Sequence, residues 1–313
     1  MRHGVMIERP MLAGTVTVSD FEKVMWPVLA SPKVDGIRCL IHPTLGPVSR
    51  TFKPIANRHI HKTLQRWAGV SYLDGELVAI NEAGVIDFNG TQSAVMTRSG
   101  TPRFRYYVFD SFDTPDNTFD ERLRMARIHC DAINVEHIKY LVHRWMKTPE
   151  EFIRYAEQCM VDGFEGAMIR HPDGPYKSGR STLNQGWLLK WKPWEDAEGT
   201  IIGFEELHHN DNEQEEDPFG LAKRSSHIAG KTPAGILGAL VLQTDWGTLR
   251  VGTGFDAATR QAIWNRNFGL SDLGNKWPQT QPDLGRKVTF KYQKHGMQDL
   301  PRFPVFKGFR EED

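Results

Sequence analysis

Apolar and polar positions alternate with two different periods along this chain, and the periods partition it. Short apolar runs with charged residues set in their middles occur at 27–42, 71–80, 104–112, 163–171 and 186–191 and predict strands. Between them the spacing turns helical. Ile60, Leu64 and Trp67 mark one face of 57–67, residues 120–132 are amphipathic, and Phe152, Ala156 and Cys159 form one stripe of 149–160. Thr148 is the expected N-cap, with Pro149 at the first helical position. After Trp194 the texture changes to short strands and Gly-rich turns. Residues 201–204, 239–244, 248–251 and 287–292 predict strands, and Asp256 caps a helix running to Trp264. Five or so short strands with one helix suit a small Greek-key barrel. Residues 207–234, polar and punctuated by Gly and Pro, predict a long loop or mobile hairpin. The expected fold class is α+β, in two domains at 1–195 and 196–313, because 313 residues exceed the usual single-domain size.

Charge changes this picture locally. Lys and Arg total 39, as do Asp and Glu, so the net charge is zero, which argues against a uniformly basic nucleic-acid binder. Residues 195–217 nevertheless carry ten acids and no Lys or Arg, whereas 218–310 carry fourteen Lys and Arg against five acids, an excess of nine. That stretch can hold a phosphate-binding surface or simply present a solvated basic face. Cys39, Cys130 and Cys159 are far apart and fit neither a disulfide framework nor a CxxC metal site, so a reducing, cytoplasmic setting is expected. The longest apolar run, 235–242, falls short of the roughly 20 residues a membrane span needs. The N-terminus MRHGVMIERP lacks a signal-peptide core, and a soluble chain without a membrane partner is expected.

Candidate chemistry starts at SPKVDGIR. Lys33 stands beside an Asp-Gly turn just after an apolar run. It is either a surface lysine at a strand end or a nucleophile in a pocket. A lysine attacks only as the neutral amine, so its pKa, ordinarily about 10.4, must be depressed by desolvation and nearby cations such as Arg38, Lys190 or Lys192. Carboxylates recur beside glycines: Glu76 in YLDGELVAI and Glu165 in DGFEGAMIR, where glycine admits a close ligand and the acid can bind a hard cation such as magnesium. An acid in a strand is also commonly salt-bridged. In LLKWKPW, period-two spacing turns Lys190 and Lys192 to one face, towards either solvent or a polyphosphate. Phe109 and Tyr107 of RYYVFD are same-face aromatics that can stack on a base or fill the core.

Taken in order, KVDGIR, SRTFK, DGE, YYVFD, DGFEG and LLKWKP resemble the successive motifs of the ATP-dependent DNA ligases, within the covalent nucleotidyltransferases, and residues 301–313 are similar to the last ligase motif. The likeness covers nearly the whole chain, least at 207–234, and is closest to the small ligases of bacteriophages and large DNA viruses. It implies a nucleotidyltransferase (ATP-grasp-like) domain followed by an all-β oligonucleotide-binding (OB) barrel. The implied cofactors are ATP and Mg2+, and the implied partner of the expected monomer is nicked duplex DNA. It also implies a lysyl-AMP on Lys33, transfer of AMP to the 5′-phosphate of a nick, and displacement of AMP by the 3′-hydroxyl.

By the same resemblance Glu76 contacts the ribose or a metal-bound water, Phe109 stacks on adenine and Glu165 binds magnesium. Lys190 and Lys192 hold phosphates, Arg38 and Arg50 engage the phosphate of AMP or of the nick, and Arg302 and Arg310 of the barrel close over ATP. Many relatives place an acid two residues before the lysine to read the adenine amino group; here that position is Ser31, whose hydroxyl can accept the same bond. Where many cellular relatives have a second basic residue in the last motif this chain has Gly308, with Lys307 beside it. On the polar segment, Lys223, Arg224 and Lys231 are expected to touch DNA phosphates. The alternatives are an RNA ligase or mRNA-capping-type enzyme, which share the lysine chemistry, and a non-catalytic nucleic-acid-binding protein. Chain size and the lack of a four-cysteine zinc site disfavour an NAD-dependent ligase.

Overall fold

The computed structural model describes residues 7–69, 72–216, 222–225, 227, 230–269, 281–294, 297 and 299–310. It falls into two compact units, the first of residues 1–192 with 216–222 and the second of 193–215 with 223–313.

The apolar run around Lys33 is not one strand. Val28–Pro32 and Ile37–His42 are separate strands, and they belong to different sheets of the first unit, one of five strands and one of six. The first sheet runs Arg144–Met146, Val28–Pro32, Ala167–Arg170, Leu188–Trp191, Gly14–Thr15. The second runs Gly46–Val48, Ile37–His42, Leu73–Ile80, Phe104–Ser111, Ile138–Tyr140, with Ile86–Asp87 also pairing on Leu73–Ile80. Residues 33–36 therefore carry the chain from one sheet to the other.

Each sheet buries one face against helices, as strand alternation requires. On the first, Ala30, Ile169 and Leu189 lie level across adjacent strands and pack with Phe152 of the helix Pro149–Val161 and Phe21 of the short 3-10 helix Val18–Lys23. Phe21 meets Phe152 edge-on at 5.5 Å. On the second, Leu77 and Tyr106 pack with Ile60 and Leu64 of the helix Arg58–Gln65 and with Ala126 and Cys130 of the helix Phe119–Ile133. Thr148 caps its helix as expected, accepting from the Glu151 amide, and Asn57 accepts from the His59 and Ile60 amides. Thr118 and Glu121 form a reciprocal capping box. The helix Phe88–Met96 has no counterpart in the sequence expectations; Asn89, Gly90 and Thr91 are poor helix formers, and the Asp87 cap and the packing of Val95 hold it.

The second unit is a five-stranded sheet in the order Gly247–Val251, Lys231–Thr244, Glu195–Asn210, Lys287–Gln293, Arg302–Phe309. A bridge between Thr253 and Val305 joins its two edges, so the sheet closes into the OB barrel, with the helix Ala257–Phe268 packed on it through Ile263. The strands foreseen at 201–204 and 239–244 are the middle and the C-terminal end of two much longer ones, Glu195–Asn210 and Lys231–Thr244. These pair as far as Asn210 and Lys231, and Gln214–Glu216 pairs with Ala222–Arg224, so the described part of 207–234 is a β-hairpin. Acids of Glu195–Asn210 meet cations of later strands: Asp196 with Lys307 at 2.5 Å, Glu198 with Arg310, and Glu205 with Arg250. The separation of charge along the sequence is thus largely closed by folding. The three cysteines are buried, and among the described residues no helix is long and apolar enough to cross a membrane.

Charged groups also lie between the two sheets of the first unit. Asp110 is fully buried and accepts from Arg122 at 3.0 Å and from Arg170 of the other sheet. Asp74, also buried, takes both prongs of Arg38 at 2.5 and 2.6 Å and the Tyr176 hydroxyl at 2.6 Å. Burial works to raise the Asp110 pKa, but the two guanidiniums outweigh it and hold it below the ordinary carboxylate value. A depressed carboxylate stabilises above its unfolded pKa and loses that contribution as pH falls through its folded pKa. Asp110→Ala, which strands two buried cations, should lower the stability measured by urea unfolding at neutral pH by about 3–5 kcal/mol, with a smaller deficit in strong acid. An unchanged midpoint at neutral pH would show that the network is not holding the unit together.

Candidate active site

Lys33 stands where the chain leaves the first sheet. Its N–H donates to the Gly166 carbonyl at 2.9 Å and its carbonyl accepts from the Glu165 N–H at 3.1 Å, so the ladder of Val28–Pro32 with Ala167–Arg170 continues one step further. Gly166 has φ 151°, and a Cβ there would lie 2.4 Å from the Trp191 carbonyl oxygen. Glycine is what lets the strand Leu188–Trp191 come this close. As a result Glu165, only 5% exposed, sits between two lysines, one oxygen on Lys33 Nζ and the other on Lys192 Nζ.

A cavity of about 260 Å³ opens beside this lysine, between the two sheets. From the first sheet it takes Ser31, Met168 and Lys190, which lie level on neighbouring strands and on the face opposite the apolar core. The second sheet supplies Arg38, level with Glu76, and Phe109. Arg50 reaches the cavity from the SRTFK turn, where Phe52 takes a left-handed conformation (φ 61°). Arg170, Arg180 and His143 complete the polar part of the wall.

Charge in the cavity is strongly perturbed. Burial pushes the Lys33 ammonium below its ordinary value, against the Glu76 and Asp35 carboxylates, which favour the charged form. Lys190 is lowered too, by burial and then by the charges of Lys33 and Arg180. Burial pushes Glu76 up to about 7 in spite of Arg38 and Lys33. The Arg38 guanidinium, committed to Asp74, also lies 4.6 Å from the centre of the Phe109 ring, covering one of its faces.

Most of the expected site residues therefore converge. Ser31, Lys33, Arg38, Arg50, Glu76, Phe109 and Lys190 line one cavity, and Glu165 and Lys192 adjoin it through Lys33. The remaining ones lie in the second unit. Arg302 begins the last strand and stacks on Phe303 at 5.0 Å, and Arg310 is paired with Glu198. Arg224 is exposed and donates to the Asn212 carbonyl at 2.5 Å, Lys231 stands opposite Asn210, and the Lys223 side chain falls outside the described residues. Sequence reasoning assigned no role to Asp74, Asp110, Arg122, Arg170, Tyr176, Arg180 or His143. Asp74 and Asp110 carried a signal, since each stands in a motif beside a residue that was chosen. Arg122, Tyr176 and His143 stand in stretches with no pattern of their own.

Comparison with known proteins agrees with the geometry. The family model for an ATP dependent DNA ligase domain matches residues 10–192, and the one for a DNA ligase OB-like domain matches 230–310. A DNA ligase-adenylate from Chlorella virus is 32% identical, covering 97% of this chain and 100% of that one, with a TM-score of 0.54. A Lig E DNA ligase structure shares the fold, with a TM-score of 0.66 at 24% identity over 97% of this chain and 100% of that one. The DNA ligase of Haemophilus influenzae is 24% identical over 75% of this chain and 70% of its own length. That of African swine fever virus is 28% identical over 42% of this chain, and the match spans 32% of the viral protein. A nucleotidyltransferase domain followed by an OB barrel is the class of enzyme these matches define. The chain belongs to the ATP-dependent DNA ligases.

The raised pKa of Glu76 is a testable property of the cavity. An acid whose folded pKa exceeds its unfolded one stabilises below the unfolded value, and that stability is lost as pH rises through the folded value. Here the window runs from about 4.5 to about 7. Glu76→Gln should flatten the fall in thermal stability across that window. A Tm-against-pH curve that superimposes on wild type would show that Glu76 does not titrate there.

Proposed function

We propose that this enzyme seals nicks in duplex DNA as a monomer, using ATP and a covalent adenylate on Lys33. The observation that carries the reading is the position of Lys33: half-buried, lowered in proton affinity by desolvation, and in the wall of a cation-rich cavity between the sheets. The Chlorella virus structure is of a ligase-adenylate, which supports the same covalent state here.

Neutral Lys33 Nζ attacks the α-phosphorus of ATP. The new N–P bond forms as the bond to the bridging oxygen breaks, pyrophosphate leaves, and the proton of Nζ is lost. Lys190, Arg50 and Lys192 stabilise charge on the transferring group. Phe109 offers adenine the face that Arg38 does not cover, Ser31 meets the edge of the base, and Glu76 the ribose. Arg302 and Arg310 orient the pyrophosphate, which requires Arg310 to exchange Glu198 for phosphate. AMP then passes to the 5′-phosphate of the nick, and the 3′-hydroxyl displaces it.

Magnesium fits this donor set. Among the described residues no three acidic, histidine or cysteine side chains cluster, and proteins commonly hold magnesium with one or two carboxylates beside substrate phosphates. Glu165 and Glu76 would be those carboxylates, Glu165 by giving up a lysine partner to the ion, and the ion would supply positive charge to the polyphosphate. Lys33→Ala should abolish labelling of the protein by α-labelled ATP and sealing from ATP, while a pre-adenylated nick is still sealed. Persistent labelling would remove Lys33 as the nucleophile. Glu165→Ala should also block labelling with the fold intact, and wild-type rates throughout a magnesium titration would end its assignment as a metal ligand. Nicked duplexes with DNA or RNA on each side separate a DNA ligase from an RNA-joining enzyme.

The segment that joins Glu195–Asn210 to Lys231–Thr244 carries in its sequence the cations proposed for DNA, Lys223, Arg224 and, at its end, Lys231. Replacing all three with alanine should weaken nick binding and reduce the slope of log K against log salt by about 0.9 for each phosphate no longer neutralised. Adenylation, which needs no DNA, should stay near wild type. Unchanged affinity and slope would exclude the hairpin from the DNA-binding surface, and a failure of adenylation would place it at ATP instead.

A further inference from the structure

One wall of the cavity carries a histidine that belongs to none of the motifs. Arg144 pairs with Ala30, so the residue before it comes level with Ser31, and both His143 and Ser31 line the cavity. His143 Nδ1 lies 2.9 Å from the Leu141 carbonyl oxygen, which can only accept, so Nδ1 holds a proton. The ring stands edge-on to Phe119 at 5.3 Å. Burial, and after it the charge of Arg170, pushes the ring down to about 4, so at neutral pH it is uncharged. A neutral ring has one N–H, and here it is on Nδ1. Nε2 is left as an acceptor.

Adenine presents at C6 an amine that donates. Hypoxanthine and guanine present a carbonyl there, whose lone pairs would face that of Nε2. A serine hydroxyl both donates and accepts, so Ser31 by itself welcomes either group. A histidine locked as an acceptor distinguishes them. We infer that His143 is a specificity-determining residue of this ligase, its Nε2 accepting a hydrogen bond from the 6-amino group of adenine. The inference rests on the nucleotidyl-transfer reading of the cavity, and it assigns base selection to the strand Arg144–Met146 as well as to the segment before Lys33.

The test is nucleotide choice in the first chemical step. The full-length enzyme, stripped of AMP with pyrophosphate, is labelled with ATP, inosine triphosphate or purine riboside triphosphate, the last lacking any group at C6. Wild type should favour ATP, and His143→Ala should raise KM for ATP about five- to tenfold, with kcat nearly constant, because one hydrogen bond is removed. The same variant should lose its preference for ATP over both analogues, and His143→Gln, with an amide oxygen able to accept, should recover part of it. The wild-type comparison of ATP with purine riboside triphosphate needs no variant and should show at least that factor in KM, since the Ser31 contact is lost with the amine too. Equal KM values there, or an unchanged ATP-to-inosine ratio in His143→Ala, would overturn the inference. Absence of any labelling of wild type by ATP would instead overturn the ligase reading beneath it.

Discussion

Two buried carboxylates, Asp74 and Asp110, set the spacing of everything around the cavity. Charges without water are tolerated only when paired and hydrogen-bonded, so Arg170 of the first sheet must lie against Asp110 of the second, and Arg122 must come down from its helix to the same acid. Asp74 imposes the like condition on Arg38 and Tyr176. These pairings fix how far apart the polar faces of the two sheets can stand. The cavity is the space left between them. The same arginines continue the constraint into the aromatic wall, with Arg170 4.3 Å from the centre of Phe119 and Arg38 4.6 Å from that of Phe109.

The arrangement divides the cations of the site into two groups. Arg38 and Arg170 are held by buried acids, and Lys33 and Lys192 share Glu165. Lys190, Arg50 and Arg180 also belong to the cavity wall, and among the described residues they enter no ion pair. On the proposed reading this second group meets the incoming phosphates, while the first keeps the geometry in which they arrive. The barrel follows a different rule. Its pairs between Glu195–Asn210 and later strands are solvent-exposed, so each contributes about 0–1 kcal/mol and exchanges readily with other anions.

Much of this was legible in the sequence because it is local. Capping residues, the helical stripes and the strand alternation of Ser31, Lys190 and Leu189 are properties of short segments. So is the order of the nucleotidyl motifs, which brought Lys33, Glu76, Phe109 and Lys190 forward before any contact was known. What stayed hidden depends on pairing between distant segments. The run around Lys33 reads as one strand because the Asp35-Gly36 turn marks a bend but not the change of sheet that follows it. Arg122, Tyr176 and His143 are ordinary residues in their own stretches and acquire a role only when folding sets them against Asp110, Asp74 and Ser31. The length of the two central barrel strands was missed for a related reason: polar residues on both faces of 205–210 and 231–236 mask the period-two signal, and backbone pairing alone extends the strands.

Lys33 and Glu76 show how a chain of zero net charge can carry a site for a polyanion. Burial lowers the proton affinity of the lysine and raises that of the acid, and each opposes the change in the other through its charge. The neutral form of each group is therefore easier to reach in the cavity than for an isolated lysine or glutamate in water. Removing the charge of Glu76 weakens the hold on the Lys33 proton, and removing that proton further favours the neutral acid. On the proposed reading the nucleophilic amine is favoured by desolvation of the cavity, not by an excess of fixed positive charge. Lys190, Arg50 and Arg180, which enter no ion pair among the described residues, then face the phosphates on the proposed reading.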